Sequence, residues 1–214
     1  MEIWLVRHGT TGANLEGRLQ GRLEYPLNVQ GRREALCVAR RLKGQPFAAF
    51  FSSNQQRAKE TADIISMLRK GPPPLFTALL QEYCWGTIQG LTRAEIQRSH
   101  PRIFYRLRQD FHHATIPGAE GLKRLFRRVK LFYSFLSRLE KKAGRVRRPI
   151  LVVSHGRLLQ AFIIYFLQYD YRRYWPFSLK PASLTILEGD FQKVRRLKLF
   201  NDTCHLRWEQ GNPG

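Results

Sequence analysis

Acidic residues are scarce in this sequence. Its 214 residues include 16 aspartates and glutamates against 37 lysines and arginines, which gives a formal net charge of +21. A positive field of this size attracts anions, and it suits a phosphorylated small molecule, a nucleic acid or an acidic membrane surface. The charge does not choose between these classes, and a basic surface without a specific partner explains it equally well.

Cysteines and long apolar runs are also scarce. The 3 cysteines are odd in number and form no CxxC pair, so neither a disulfide framework nor a structural zinc site is expected. The opening residues, MEIWLVRHG, lack the basic and apolar regions of a signal peptide, and the most apolar later stretch, LLQAFIIYFL, is too short to span a membrane. We therefore predict a soluble cytoplasmic protein that has no membrane partner.

Short apolar segments alternate with segments of helical periodicity along the chain. Strands are predicted at residues 2–6, 47–53, 75–80, 149–153, 182–189 and 191–200, and helices at residues 30–42, 56–68, 94–100, 102–109, 120–143 and 157–167. This order predicts a three-layer α/β/α sandwich around a mostly parallel, mixed sheet, closed by a C-terminal hairpin at Gly189-Asp190. We expect a single domain over residues 1–214, with a helical cap-like insertion at about 92–120.

Two of the predicted strands each end in a histidine that is followed by glycine. His8 lies in LVRHG, and His155 lies in LVVSHG. In open α/β sheets, ligands bind beyond the carboxyl ends of the strands, so both histidines are delivered to the edge where a site forms. If only one strand ended in this way, its histidine would be best interpreted as an ordinary loop residue. Two in the same context, with arginines nearby, indicate one site.

The residue types around these histidines suit phosphoryl transfer, which requires a nucleophile, positive charge on the phosphate oxygens and a proton for the leaving oxygen. Neutral imidazole is a nucleophile near neutral pH, and His8 can serve as one. Arg7 and Arg57 offer planar guanidinium groups that fit phosphate oxygens, and His155 can hold another oxygen as a cation or a donor. Glu82 follows an apolar run, so a partly desolvated carboxyl group there is the best candidate acid.

Several motifs resemble those of one family. Residues 5–21, LVRHGTTGANLEGRLQG, are similar to the opening motif of the histidine phosphatase superfamily, also called the phosphoglycerate mutase-like family. SSNQQRAKETA resembles its second motif, VVSHG its third, and Leu80 to Gly90 its acid loop. The stretches EIQRSHPRIFYRLRQD, IPGAEG and NDTCHL resemble the bacterial phosphatase branch, which includes broad-specificity and α-ribazole phosphatases. RHG alone is a weak signal, but RHGxT followed in order by the arginine, the glutamate and SHG is highly specific.

The resemblance implies a metal-independent phosphatase of the histidine acid phosphatase type, a phosphomonoester hydrolase that acts on a small phosphorylated metabolite. His8 would be the phosphorylated nucleophile, and Glu82 would protonate the leaving group and later help to activate water. The phosphate pocket would be formed by Arg7, Arg57 and His155. Further contacts to phosphate or substrate would come from Thr11, Asn14, Gln20 and the backbone around Gly156. The resemblance implies no metal and no other cofactor.

Two segments depart from the family pattern. The acid loop usually continues as G-x-W-E-G, but Gly86-Thr87-Ile88-Gln89-Gly90 stands here, so a charge near the pocket is lost. The usual G-G-E-S is replaced by Gly118-Ala119-Glu120-Gly121, which removes a serine that could cap the next helix or contact substrate. The core catalytic positions are all present, so we predict an active enzyme.

Two other functions stay open. A cofactor-dependent phosphoglycerate mutase resembles this chain but carries a longer insertion between the acid and the second histidine. Glu82 and His155 are only 73 positions apart, which favours a phosphatase. The second alternative is a non-catalytic protein on the same fold that holds an anion or RNA.

The helix predicted at residues 120–143 is crowded with basic residues. It lacks a recognised nucleic-acid-binding motif, so we interpret these residues as a solvated face that steers anions. Nucleic acid is therefore not the expected partner, and a homodimer is left open. The basic residues are Lys123, Arg124, Arg127, Arg128 and Lys130.

The lining that selects the substrate is expected between Glu95 and Gly121. Aromatic residues there could face a large apolar or ring-bearing alcohol, but helix core is the better interpretation. The residues concerned are Phe104, Tyr105, Phe111, His112 and His113.

Overall fold

A mixed sheet of six strands forms the centre of the computed structural model, which describes residues 1–109, 114–142, 148–170, 172, 175–189 and 194–207. The strands are β1 (Glu2–Arg7), β2 (Ala49–Ser53), β3 (Leu75–Thr77), β4 (Ile150–Ser154), β5 (Leu184–Gly189) and β6 (Arg195–Asp202). They lie side by side in the order β3-β2-β4-β1-β5-β6. The first four strands along the chain are parallel, and β5 is antiparallel to both of its neighbours. The predicted mixed sheet is confirmed, although Asp190 of the predicted hairpin turn lies outside the described residues.

Helices cover both faces of this sheet. In the described ranges they are α1 (Gly12–Leu15), α2 (Val29–Arg41), α3 (Gln56–Met67), α4 (Arg93–Ser99), α5 (Pro101–Gln109), α6 (Gly121–Lys142) and α7 (Gly156–Phe166). On one face, α2 and α3 bury side chains such as Val38 and Ile65, and on the other face α6 and α7 bury Phe132 and Phe162. All five residues of β4 are buried, as expected for a strand inside a parallel sheet that is covered on both sides. The predicted three-layer sandwich is confirmed.

Three predicted boundaries differ from the structure for local reasons. The apolar stretch at 75–80 is a strand only as far as Thr77, because the Thr77 side chain accepts the N–H of Leu79 and starts a 3₁₀ turn. Pro101 separates two helices as predicted, but it is itself the first residue of α5, since the first position of a helix needs no backbone N–H donor. The loop after β1 contains α1, a single helical turn that the sequence pattern does not reveal.

Helices α4 and α5 lie where the sequence predicts the cap-like insertion. Ile96 of α4 and Phe104 of α5 are buried in the same apolar cluster as α6 and α7, so the two helices are packed onto the domain. They form part of the wall of a cavity at the carboxyl edge of the sheet. Among the described helices, none is both long enough and apolar enough to cross a membrane.

Candidate active site

The pairing of β1 with β4 brings the two histidines together. The parallel register aligns Arg7 with Ser154, so that His8 and His155 follow at the same edge of the sheet. The backbone N–H of His8 extends the ladder by donating to the Ser154 carbonyl oxygen at 2.9 Å. The two imidazole rings are buried, and their centroids are 5.1 Å apart. The two strand ends therefore meet as the sequence predicts.

A cavity of about 200 Å³ opens beside His8. Its wall includes every predicted site residue except Thr11 and His155. Gln20 on this wall is buried, and its Oε1 has no hydrogen-bond partner in the described part of the chain. Buried polar atoms are normally satisfied, so a ligand or a water is the expected partner. A Cβ atom on Gly156 would lie 3.4 Å from the guanidinium group of Arg7, so the small residue lets that group approach the start of α7.

The His8 ring is held in one tautomer. Its Nδ1 lies 2.7 Å from the carbonyl oxygen of Gly9. A carbonyl oxygen only accepts, so Nδ1 carries the proton and Nε2 of the neutral ring keeps its lone pair. Burial lowers the pKa of His8 well below its usual value, and the positive charges of Arg57 and Arg7 lower that pKa further. The ring is therefore in the form that a nucleophile needs.

Two buried guanidinium groups supply positive charge. Arg57, in the first turn of α3, is completely buried and donates to the carbonyl oxygens of Gly21 at 2.8 Å and Leu23 at 2.9 Å. Burial lowers the pKa of Arg57 to about 10, so the group is still charged at neutral pH. Arg7 donates to the Leu179 carbonyl oxygen, and the Nε atoms of both arginines have no hydrogen-bond partner among the described residues. Buried guanidinium groups of this kind suit an anionic ligand.

His155 lies next to His8 but outside the cavity wall. Its Nε2 is 2.8 Å from the Ser53 hydroxyl oxygen, and its Nδ1 has no partner within the described ranges. Burial lowers the pKa of His155 well below the usual value, and the charge of Arg57 adds to this effect. A lowered pKa favours the neutral ring, which suits the hydrogen-bonding form of its predicted role.

The Glu82 carboxyl group is fixed at the start of α7. Its oxygens accept the backbone N–H groups of Tyr83 at 2.8 Å, Leu158 at 3.1 Å and Arg157 at 3.2 Å. The last two donors belong to the first turn of α7, where the helix dipole favours negative charge. These contacts hold the carboxyl group on the same cavity wall as His8.

Thr11, for which a contact with phosphate or substrate is predicted, does not lie on the cavity wall. Its hydroxyl donates to Oδ1 of Asn14 at 3.0 Å and accepts the Asn14 backbone N–H at 3.2 Å. The pair forms a capping box that starts α1. Thr11 therefore acts through Asn14, which it orients and which does line the cavity.

Gln55 supports the site although the sequence analysis did not identify it. Its Nε2 donates to the Gly21 carbonyl oxygen at 3.0 Å, and its Oε1 accepts the Glu82 N–H at 2.7 Å. The side chain thus joins the loop around Arg57 to the acid loop. Its position could have identified it, because Gln55 and Ser53 both lie in the second motif, SSNQQRAKETA, at the end of a strand.

Arg128 corrects the predicted solvated face of α6. Its side chain is only 14% exposed and forms an ion pair with Glu120, which is 3% exposed. The guanidinium group also donates to the carbonyl oxygens of Leu79 at 2.9 Å and Gln81 at 2.8 Å, immediately before Glu82. Arg128 therefore holds the acid loop against α6. The other basic residues of the predicted face are exposed, namely Lys123, Arg124, Arg127 and Lys130.

The uncharged residue at position 89 keeps a structural role in the acid loop. Oε1 of Gln89 accepts the backbone N–H groups of Arg22 at 2.8 Å and Trp85 at 3.3 Å. The departure from the family pattern therefore removes a charge but leaves a link between the acid loop and the first loop.

A second cavity, of about 620 Å³, adjoins the first. Phe104 lines it, in line with the alternative that this residue faces a ligand, whereas Tyr105 is 57% exposed. Three residues of the predicted lining, Phe111, His112 and His113, lie outside the described residues. The residues common to both cavities are Leu19, Trp85, Arg157, Gln160 and Ser178.

The chain matches known proteins over nearly its whole length. A sequence profile of the histidine phosphatase superfamily (branch 1) matches residues 3–203. The chain belongs to the histidine phosphatase superfamily. The predicted family is therefore confirmed.

Relatives within the histidine phosphatase superfamily include several phosphatases. Phosphoserine phosphatase 1 of Hydrogenobacter thermophilus is 28% identical over 206 residues, which cover 96% of this chain and 94% of that protein. A metal-independent phosphoserine phosphatase of Arabidopsis thaliana is 34% identical over 165 residues, or 76% of this chain and 67% of that protein. The α-ribazole phosphatase of Shigella flexneri has a similar structure, with a TM-score of 0.84, 25% identity and coverage of 94% and 96% of the two chains. These similarities support phosphatase activity.

We predict that His8 and His155 of this histidine phosphatase stay neutral at pH values where an ordinary histidine is half protonated. Burial and the nearby arginines lower both pKa values, so the rings take up protons only well below the usual value of 6.5. Heteronuclear NMR of protein labelled with ¹⁵N-histidine, in phosphate-free buffer, reports the charge of each ring. The variants His8→Gln and His155→Gln assign the signals. A midpoint near pH 6.5 for either ring would contradict the prediction.

Proposed function

We propose that this protein is a metal-independent phosphomonoester hydrolase that passes the phosphoryl group of a small phosphorylated metabolite through His8 to water. The position of the His8 ring supports this proposal most directly. The neutral His8 ring, with Nδ1 hydrogen-bonded to Gly9, shares a cavity wall with Arg7 and Arg57. A site that accepts a phosphoryl group requires a nucleophile and positively charged groups that bind the phosphate oxygens, and this cavity provides both. Relatives named for phosphoserine and α-ribazole support hydrolysis of small phosphate esters.

The first step forms the covalent intermediate. Nε2 of His8 attacks phosphorus, and a P–N bond forms while the ester P–O bond breaks. The charges of Arg7 and Arg57 balance the negative charge on the equatorial oxygens, a role that metal ions have in other phosphoryl-transfer enzymes. Because Arg57 is completely buried and Arg7 is partly buried, the two guanidinium groups act on these oxygens more strongly than they would in water. The scheme needs no metal and no other cofactor.

Glu82 handles the proton in both steps. In its protonated form it gives the proton to the leaving oxygen, which departs as an alcohol. In the second step it takes a proton from the water whose oxygen attacks phosphorus, so the P–N bond breaks and phosphate leaves. The three backbone N–H groups that hold the Glu82 side chain fix the position of its carboxyl group, which proton transfer in both steps requires.

The first test is phosphate release from 4-nitrophenyl phosphate in excess chelator. We expect the intact protein to turn over and His8→Ala to lose activity at least about a thousandfold, because the covalent route is removed. His100→Ala is the matched control, since His100 ends α4 and lines neither cavity. The absorbance of nitrophenolate measures all three rates.

Two other outcomes of this assay would each contradict one part of the proposal. Equal turnover by the intact protein and His8→Ala would exclude His8 as the nucleophile. Loss of activity in chelator that a divalent metal restores would exclude metal independence. The mutase needs a separate assay with phosphoglycerate, in which transfer of the phosphoryl group to the second hydroxyl without release of phosphate would favour that alternative.

Arg128 gives a separate prediction for the acid loop. Arg128→Leu removes the contacts that hold the segment before Glu82, and a displaced acid costs up to about a hundredfold in kcat. The loss should be larger for an alkyl phosphate than for 4-nitrophenyl phosphate, because nitrophenolate leaves without a proton. Arg127→Leu, on the exposed side of α6, is the control and should change neither rate. An equal loss for the two substrates would show a merely structural role.

A further inference from the structure

The larger cavity is contiguous with the site of phosphoryl transfer. Both cavities share part of their wall, including Trp85, Arg157 and Gln160. If the phosphoryl group lies against His8, as the proposed function requires, the leaving group has this second space beside it. Its volume of about 620 Å³ lies within the usual range for small-molecule sites. An alcohol as small as serine would leave most of it empty.

Aromatic side chains form much of the wall of this cavity. Trp85, Phe104 and Trp175 are each less than a tenth exposed, so their positions are set by packing. Phe177 contributes a fourth ring. Walls of this kind favour a flat ring in the ligand, because aromatic pairs stack or meet edge to face. The rings come from three separate parts of the chain: the acid loop, α5 and the segment before β5.

The charge of the wall has one sign. Arg157 lies between two rings, with its guanidinium carbon 5.6 Å from the ring centre of Trp85 and 5.3 Å from that of Trp175. Arg93 lies 5.6 Å from the ring centre of Phe104, and Arg108 is also part of the wall. No aspartate or glutamate is among the described residues that line this cavity. A guanidinium group near an aromatic ring keeps its charge and its planar set of N–H donors, which a carboxylate or phosphate on a ligand can accept from.

We infer that the larger cavity binds the leaving group of the substrate, and that this group combines a ring with a negative charge of its own. The inference rests on the proposed function for the location of the phosphoryl group. The ring would pack against the aromatic side chains of the wall, and the second anion, a carboxylate or a phosphate, would bind the arginines. An ammonium group is disfavoured, because it would meet three guanidinium groups and, among the lining residues that the structure describes, no carboxylate. The inferred leaving group therefore differs from serine, which carries an ammonium group and no ring.

A matched set of naphthyl phosphates tests the inference. The three probes carry the phosphate on one ring and a carboxylate, a neutral carboxamide or an aminomethyl group at the far end of the other ring. We expect kcat/KM to be about tenfold higher for the carboxylate than for the carboxamide, and lowest for the aminomethyl compound. Arg157→Gln and Arg108→Gln should each reduce the ratio of carboxylate to carboxamide. Ratios are compared within each variant, so a general loss of activity cancels.

Arg33→Gln is the control for the loss of one positive charge. Arg33 is exposed on α2 and lines neither cavity, so its removal should leave the ratio unchanged. Equal kcat/KM values for the three probes, or a ratio that Arg33→Gln lowers as much as Arg157→Gln does, would overturn the inference. The first result would show that the cavity does not recognise the charge of the leaving group. The second would show that the preference for the carboxylate arises from the overall positive field of the protein and not from the cavity.

A binding measurement separates this inference from the proposed function. Calorimetry of 6-hydroxy-2-naphthoate with the intact protein and with Arg157→Gln needs no turnover. Binding that weakens in the variant, together with no hydrolysis of any probe, would support the ligand class and contradict the phosphatase. Hydrolysis of all probes without binding of the naphthoate would support the phosphatase and contradict the ligand class.

Discussion

The backbone pairing of β1 with β4 is the interaction on which the site depends. Both strands lie inside the sheet, between two helical layers, and they end in the same register. The hydrogen bond from the His8 N–H to the Ser154 carbonyl oxygen continues this pairing into the site itself. Two imidazole rings are thus held at the ends of interior strands of the sheet, and the helix that follows β4 starts beside them.

The same arrangement concentrates positive charge on groups that are largely withdrawn from solvent. Burying a guanidinium group is costly unless polar groups replace its water. For Arg57 the carbonyl oxygens of Gly21 and Leu23 do so, and the negative charge of Glu82 favours its charged form. This compensation is incomplete, because Nε atoms of Arg7 and Arg57 have no partner among the described residues. An anion in the cavity would complete it, and the basic surface would speed its arrival.

The sequence predicts those features that depend on short-range patterns. The apolar run before Ser154 and the glycine after each histidine were enough to predict the sheet edge and the neighbouring positions of His8 and His155. Arg128 could not be distinguished from Arg127, because only the packing of α6 decides which of them meets the acid loop. The local role of Thr11 could not be predicted for a similar reason, since only the structure shows that its hydroxyl bonds to Asn14. The larger cavity joins residues far apart in sequence, so no local pattern reveals it.

A covalent phosphohistidine is the central claim of this account, and trapping it is the most direct test. The protein is mixed with a radiolabelled phosphate ester, quenched in alkali, in which phosphohistidine is stable, and digested for mass spectrometry. We expect a phosphoryl group on His8, with rates of formation and decay that are at least as high as the turnover rate. A label on His155 or on any other residue, or turnover without a labelled peptide, would contradict it.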